Sequence, residues 1–174
     1  MTRFWVIFPL LLFIAFTAVL AARLVSHNTG YFKQSPLIGK DVPSFSLPSA
    51  IDGDENLDNN EFKGRFSAIN IFASWCISCR YEHEHLMALS KIIPIYGIDW
   101  KDEKEDLKQW LDRWGNPYKK IGFDKNGEAV IALGVTGAPE TFIINEEGKI
   151  IFRYPGPIDA DVIKNEIMPR ITTK

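Results

Sequence analysis

Phe66-Ser67-Ala68-Ile69-Asn70-Ile71-Phe72-Ala73-Ser74-Trp75-Cys76-Ile77-Ser78-Cys79 carries the reading of this chain. Phe66 to Ala73 is a short apolar run with β-branched and aromatic residues, the composition of a buried strand. It leads directly into the only two cysteines of the 174 residues. The stretch that follows, Ile77 to Lys91, has helical composition, with Cys79, Leu86, Leu89 and Ile93 on an inward stripe. Cys76 is therefore expected where a strand becomes a helix. The unpaired N–H groups and the dipole of a helix N-terminus favour thiolate over thiol there. Three residues of spacing put both sulfurs on one helical face within bonding reach. Two thiols cannot make a four-thiolate zinc site within one chain. Reversible dithiol/disulfide exchange is the simple use that remains, with Cys76 attacking and the deeper Cys79 resolving the mixed disulfide. A purely structural disulfide is the alternative, but so small a loop constrains little chain entropy.

Working outward, Asp41 to Leu47 reads as a short strand and residues 49–60 as a polar loop. Pro94 to Asp99 reads as the next strand. Asp102 and Glu105 have capping-box spacing and launch a helix from Glu103 to Trp114, which Gly115-Asn116-Pro117 stops. Lys120 to Asp124 follows as a strand and Glu128 to Leu133 as a short helix. Thr141 to Asn145 and Lys149 to Tyr154 form a hairpin. Ala160 to Ile171 closes as a helix that Pro169 frays. This order is an α/β pattern.

Several residues around the cysteines invite a role. Trp75 is either a flat apolar wall beside the thiol or core packing. Glu82, one turn beyond Cys79, is either a proton acceptor for the buried thiol or part of a solvated helix face. His83 and His85 lie two apart on different helix faces, which does not make a metal site. Thr136-Gly137-Ala138-Pro139-Glu140-Thr141 places a proline immediately before a strand. If its peptide bond is cis, the backbone of Ala138 is offered to an extended peptide beside the sulfurs, and Glu140 adds acidity to that groove. An ordinary turn is the alternative.

The leader sets the expected compartment. Phe4 to Ala22 has no charged side chain and, at the helical rise, reaches about 28 Å, close to bilayer thickness. Arg3 ahead of it favours a cytoplasmic N-terminus and an exported body, with Arg23 a weaker opposing vote. The expected layout is an uncleaved signal-anchor at 1–27, a linker at 28–37 and the domain at 38–174. The apolar run exceeds the ~7–15 residues of a signal core; Val19-Leu20-Ala21 keeps cleavage open as the alternative. The body then faces an oxidising space, where a thiol pair is functional. A formal net charge of −2 argues against nucleic-acid binding.

Phe72-Ala73-Ser74-Trp75-Cys76-Ile77-Ser78-Cys79-Arg80-Tyr81-Glu82-His83 and Gly134-Val135-Thr136-Gly137-Ala138-Pro139-Glu140-Thr141-Phe142 resemble the two signatures of the membrane-anchored DsbE/CcmG proteins of cytochrome c maturation. Lys101-Asp102 and Gly115-Asn116-Pro117-Tyr118 also resemble family blocks. The resemblance runs from about Leu37 to Pro169. It implies a thioredoxin-like fold, with a mixed central sheet flanked by helices after one transmembrane helix. It implies a cis-Pro139, Cys76 as nucleophile, Cys79 as resolving thiol, and Glu82 and Glu140 as tuning or recognition residues. Trp75 and Ala138 complete the expected substrate-binding set. No cofactor or metal is implied beyond the Cys76–Cys79 disulfide. The implied work is periplasmic reduction of the Cys-x-x-Cys-His segment of apocytochrome c, directly or through a partner thiol protein. A DsbD- or CcdA-type donor in the inner membrane would supply the electrons. Alternatives are a general oxidant or isomerase of the same fold and, more remotely, a metal-delivery chaperone. Ile77-Ser78 replaces the Pro-Thr of many members, so their redox potential does not transfer. Asn70 stands where cytosolic thioredoxins have a buried acid, which makes Glu82 the candidate for proton handling.

Overall fold

The computed structural model describes residues 2–27 and 35–172, and the side chains of 7–23 within the first helix. The chain divides into two compact units, residues 1–34 and 35–174. In the first, α1 (Thr2–His27) runs through Pro9. Within it Thr17 Oγ1 donates to the carbonyls of Phe13 (3.0 Å) and Ile14 (2.9 Å), one turn back. Among the described residues no helix is long and apolar enough to cross a membrane. The first three residues of the expected span, Phe4 to Val6, lie outside the described side chains, as does most of the expected linker.

The second unit is built on a five-stranded mixed sheet. Its strands are β3 (Ser67–Phe72), β4 (Ile95–Trp100), β5 (Tyr118–Asp124), β6 (Glu140–Ile144) and β7 (Ile150–Pro155), in the order β5-β4-β3-β6-β7. A small two-stranded sheet, β1 (Ser46–Leu47) with β2 (Leu57–Asp58), precedes it in sequence. β3, β4 and β5 are parallel, whereas β6 runs against both β3 and β7. β3 is central and every residue in it is buried, as a strand covered on both faces must be. Alternation sorts its side chains between two cores. Ala68 and Phe72 join Cys76, Cys79, Leu86, Leu89, Leu107 and Trp110. These come from α2 (Ile77–Leu89) and α3 (Lys104–Trp114), with the residues just before α2. Ile69 and Ile71 join Phe62, Tyr96, Ile98 and Phe142 on the other face, with Ala129 and Val130 of α4 (Glu128–Ala132). Each fully buried aliphatic or aromatic side chain stabilises the fold by about 1.5–3 kcal/mol.

Close packing beneath the site leaves no room for a side chain at Gly97. A Cβ there would lie 2.7 Å from Phe72 Cε1 and 3.0 Å from the Tyr118 ring. The Phe72 and Tyr118 rings stack with centroids 4.4 Å apart.

Four expectations are corrected. The polar loop at 49–60 contains β2 and runs into a 3-10 turn, Asn59–Phe62, because Leu57 and Phe62 are drawn fully into the core. The strand expected over Asp41–Leu47 shrinks to Ser46–Leu47. The Asn59 amide instead ties that segment down, donating to Val42 and Pro43 carbonyls and accepting from Phe45 N. The capping box fails: α3 starts at Lys104 with no side-chain cap, because Asp102 is occupied elsewhere. The last helix does not fray at Pro169. It runs as α5 (Ala160–Val162), a π turn (Ile163–Ile167) and α6 (Met168–Thr172).

Candidate active site

Parallel strands deliver their C-terminal ends to one edge, and helices begin there. The end of β3 turns through Ala73, Ser74 and Trp75 into Cys76, which is the N-cap of α2 in extended backbone (φ −85°, ψ 106°). Its sulfur accepts the N–H of Cys79 at 3.1 Å, the place an N-cap oxygen would take. Cys76 and Cys79 are joined as a disulfide. Cys79 is the deeper of the two, 1% exposed against 5% for Cys76. Trp75 (54% exposed) and Ile77 (75%) stand out of the surface on either side of Cys76. The core-packing alternative for Trp75 is thereby removed. A groove of about 520 Å³ runs beside Cys76, lined by Trp75, Ile77, Arg80, Trp110, Arg113 and Trp114 among others.

The turn before Cys76 is held from the end of β4. The Asp102 carboxylate accepts Ser74 N (2.5 Å) and Ser74 Oγ (2.8 Å). The Trp75 indole N–H donates to the Lys101 carbonyl at 3.1 Å. Lys101 takes a left-handed backbone (φ 51°) to present it. In the sequence Asp102 reads as a helix cap and Lys101-Asp102 as a block of resemblance, neither of which points to this tether. The signal was available in the topology, since β3 and β4 are adjacent and parallel and end side by side.

Glu82 is fully buried, so the solvated-face alternative is excluded. Its Oε1 accepts Asn70 Nδ2 (2.8 Å) and its Oε2 accepts Ile158 N (2.9 Å). Asn70 in turn accepts the Tyr118 hydroxyl (2.9 Å) and donates to Thr141 Oγ1 (3.1 Å). Burial outweighs these two donors and pushes Glu82 up to about 7. That value suits a group that takes and returns a proton near neutral pH. The amide at position 70 thus links to the carboxyl that the sequence offered as its substitute.

The Ala138–Pro139 bond is cis. Ala138 packs against the core cluster that contains both cysteines. The acidity expected from Glu140 is corrected. Its side chain is fully buried and ion-paired with Arg153 Nε, while its other oxygen accepts Thr136 N at 3.2 Å. Arg153 also donates to the Gly134 carbonyl, so one ion pair braces the loop ahead of Pro139. Nothing in the sequence revealed Arg153, because it lies inside the apolar run Ile150 to Tyr154. His83 Nε2 meets the Trp114 carbonyl at 3.0 Å and its ring stands edge-on to Trp110. Among the described residues no group of three or more His, Cys, Asp or Glu is arranged to hold a metal.

Residues 37–167 match the Redoxin family. The chain is 42% identical over 137 residues to a thiol:disulfide interchange protein DsbE of Allochromatium vinosum, covering 78% of this chain and 76% of that one. It is 37% identical over 181 residues to DsbE of Escherichia coli, covering 97% and 94%. Among solved structures, a secreted thiol-disulfide isomerase from Corynebacterium glutamicum has the same fold. Its TM-score is 0.70 at 14% identity, over 84% of this chain and 95% of that one.

Proposed function

This chain belongs to the Redoxin family as a thiol:disulfide oxidoreductase of the DsbE type, and we propose that it is the reductant of a disulfide in cytochrome c maturation. The observation that carries this is a Cys76–Cys79 pair at a helix N-terminus with the fully buried carboxyl of Glu82 one turn beyond Cys79.

In the reduced protein the Cys76 thiolate attacks one sulfur of the client disulfide. That S–S bond breaks, a mixed disulfide forms, and the second client sulfur leaves as a thiolate. Glu82 takes the proton of Cys79. The Cys79 thiolate then attacks Cys76 Sγ, forming the Cys76–Cys79 bond and releasing the client as a dithiol with two electrons gained. Trp75 and the Ala138–Pro139 backbone flank the client peptide. Glu140, paired with Arg153, shapes that loop without facing the client.

The proposed client is the Cys-x-x-Cys-His segment of apocytochrome c or a thiol protein that serves it. The proposed electron donor is a membrane protein of the DsbD or CcdA kind. We place the domain in the periplasm, tethered by α1 as a single-pass anchor in the inner membrane. The support is the row of exposed large apolar side chains from Ile7 to Leu20, with Thr17 satisfied inside its own helix.

The test is trapping in cells with Cys79→Ser, which leaves Cys76 without its resolving thiol. Recovery of a Cys-x-x-Cys-His protein, or of a thiol protein that binds one, is expected. Recovery of unrelated periplasmic proteins would replace this reading with a general oxidant or isomerase. A potential well below about −180 mV is expected of a reductant.

A further inference from the structure

Asp99, near the end of β4, is wholly buried. Its register sets it between Phe72 of β3 and Phe123 of β5, so both strand neighbours are aromatic. Among the described residues no N–H or hydroxyl donor reaches either of its carboxyl oxygens. A carboxylate is not kept bare in such a place; it takes up a proton. The acidic group set against it is the carboxylate of Asp102, and burial together with that charge pushes Asp99 up to about 9. Burial, with the charges of Glu82 of α2 and of Asp99, holds the Tyr118 hydroxyl of β5 well above its ordinary value. Asp102 is the acceptor that holds Ser74 N and Ser74 Oγ, and it also takes Glu103 N at 2.8 Å.

We propose that Asp99 is a positioning residue for the exchange reaction: its carboxyl donates a hydrogen to the Asp102 carboxylate, and this acid pair fixes the Ser74–Trp75 turn from which Cys76 is presented. Asp99 touches no reacting atom; it acts through Asp102. The anchor of the turn therefore depends on one proton. Its loss at alkaline pH sets two negative charges against each other beneath Ser74, and the turn loosens. The device belongs to the exchange chemistry itself and is independent of which client is reduced.

The test uses the purified full chain in its oxidised form, where neither cysteine titrates. The Trp75 indole N–H, bonded to the Lys101 carbonyl beside Asp102, reports the turn as a nitrogen-15 resonance. In the natural protein it should shift in a single step centred near pH 9. Asp99→Asn keeps an N–H donor in the same shape and should abolish that step. Glu82→Gln should retain it, since Glu82 titrates near 7. In the reduced protein, Asp99→Leu should slow alkylation of Cys76 about tenfold at neutral pH, the effect of one hydrogen bond to a charged group. Asp99→Asn should restore it to within about twofold. A step near pH 9 that survives in Asp99→Asn, or no step in the natural protein, would overturn the proposal. So would Asp99→Leu alkylating at the natural rate. Infrared spectra guard against a variant that fails to fold. At pH 8 the Glu82→Gln protein should show a protonated carboxyl band, and its absence would sink the idea.

Discussion

Replacing Glu82 by Gln converts a buried proton into a measurable slope of stability against pH. Burial raises this carboxyl from 4.5 to about 7 in the folded protein. Across that window the folded chain keeps a proton that the unfolded chain has already lost. Stability therefore falls as pH rises from 4.5 to about 7, by about 1.4 kcal/mol per pH unit and about 3 kcal/mol in all. Below and above the window this group contributes no slope. The substituted amide does not titrate, so the variant lacks this descent. Gln also presents one acceptor where Glu presents two. Either Asn70 Nδ2 or Ile158 N then loses its partner, at a cost of about 1–3 kcal/mol at every pH. The assay is urea unfolding of the oxidised protein at half-unit steps from pH 4.5 to 8. His83, which burial holds below its ordinary value, gives a slope of the opposite sign in both proteins and cancels in the difference. The stability of the variant minus that of the natural protein should climb by about 3 kcal/mol across the window. A flat difference would show that Glu82 is ionised throughout, and its role as proton acceptor for Cys79 would go with it.

Three further outcomes are expected. Cys76→Ser should abolish disulfide reduction while Cys79→Ser accumulates mixed disulfides, measured by gel shift after alkylation; the reverse pattern would exchange the two roles. Arg153→Ala strands Glu140 without its cation in the interior and should destabilise the domain by about 3–5 kcal/mol, read from urea midpoints. Gly97→Ala forces a Cβ against Phe72 and Tyr118 and should cost about 1–3 kcal/mol, whereas an undiminished midpoint would mean the stack has room to shift.

The parts of this molecule that speak in its sequence are those governed by local periodicity. β3, α2, β4, α3 and the β6–β7 hairpin are all legible from apolar spacing and turn residues, as is the placement of Cys76 at a helix start. The parts that stay silent depend on partners far along the chain. Asp102 has capping-box spacing to Glu105, yet Ser74, 28 residues away, takes its carboxylate instead. Glu140 sits in a motif beside the site, yet Arg153 from the next strand turns it inward. Leu57 looks like loop because its neighbours are polar, and only the assembled core shows why it must be strand. Asn70 and Glu82, 12 residues apart, are the exception: an amide where an acid is expected points to Glu82, and Asn70 Nδ2 donates to its carboxyl.

The unequal depth of the two sulfurs also bears on how the reduced centre meets an oxidant. Peroxide diffusing to the reduced molecule meets Cys76 first, at the rim, and converts it to a sulfenic acid. Cys79, shielded below and three residues away, condenses with that group and expels water, so the damage ends as the ordinary disulfide. The buried thiol is thus a repair reagent carried on the same helix, and the centre returns to service by the reduction that any turnover requires.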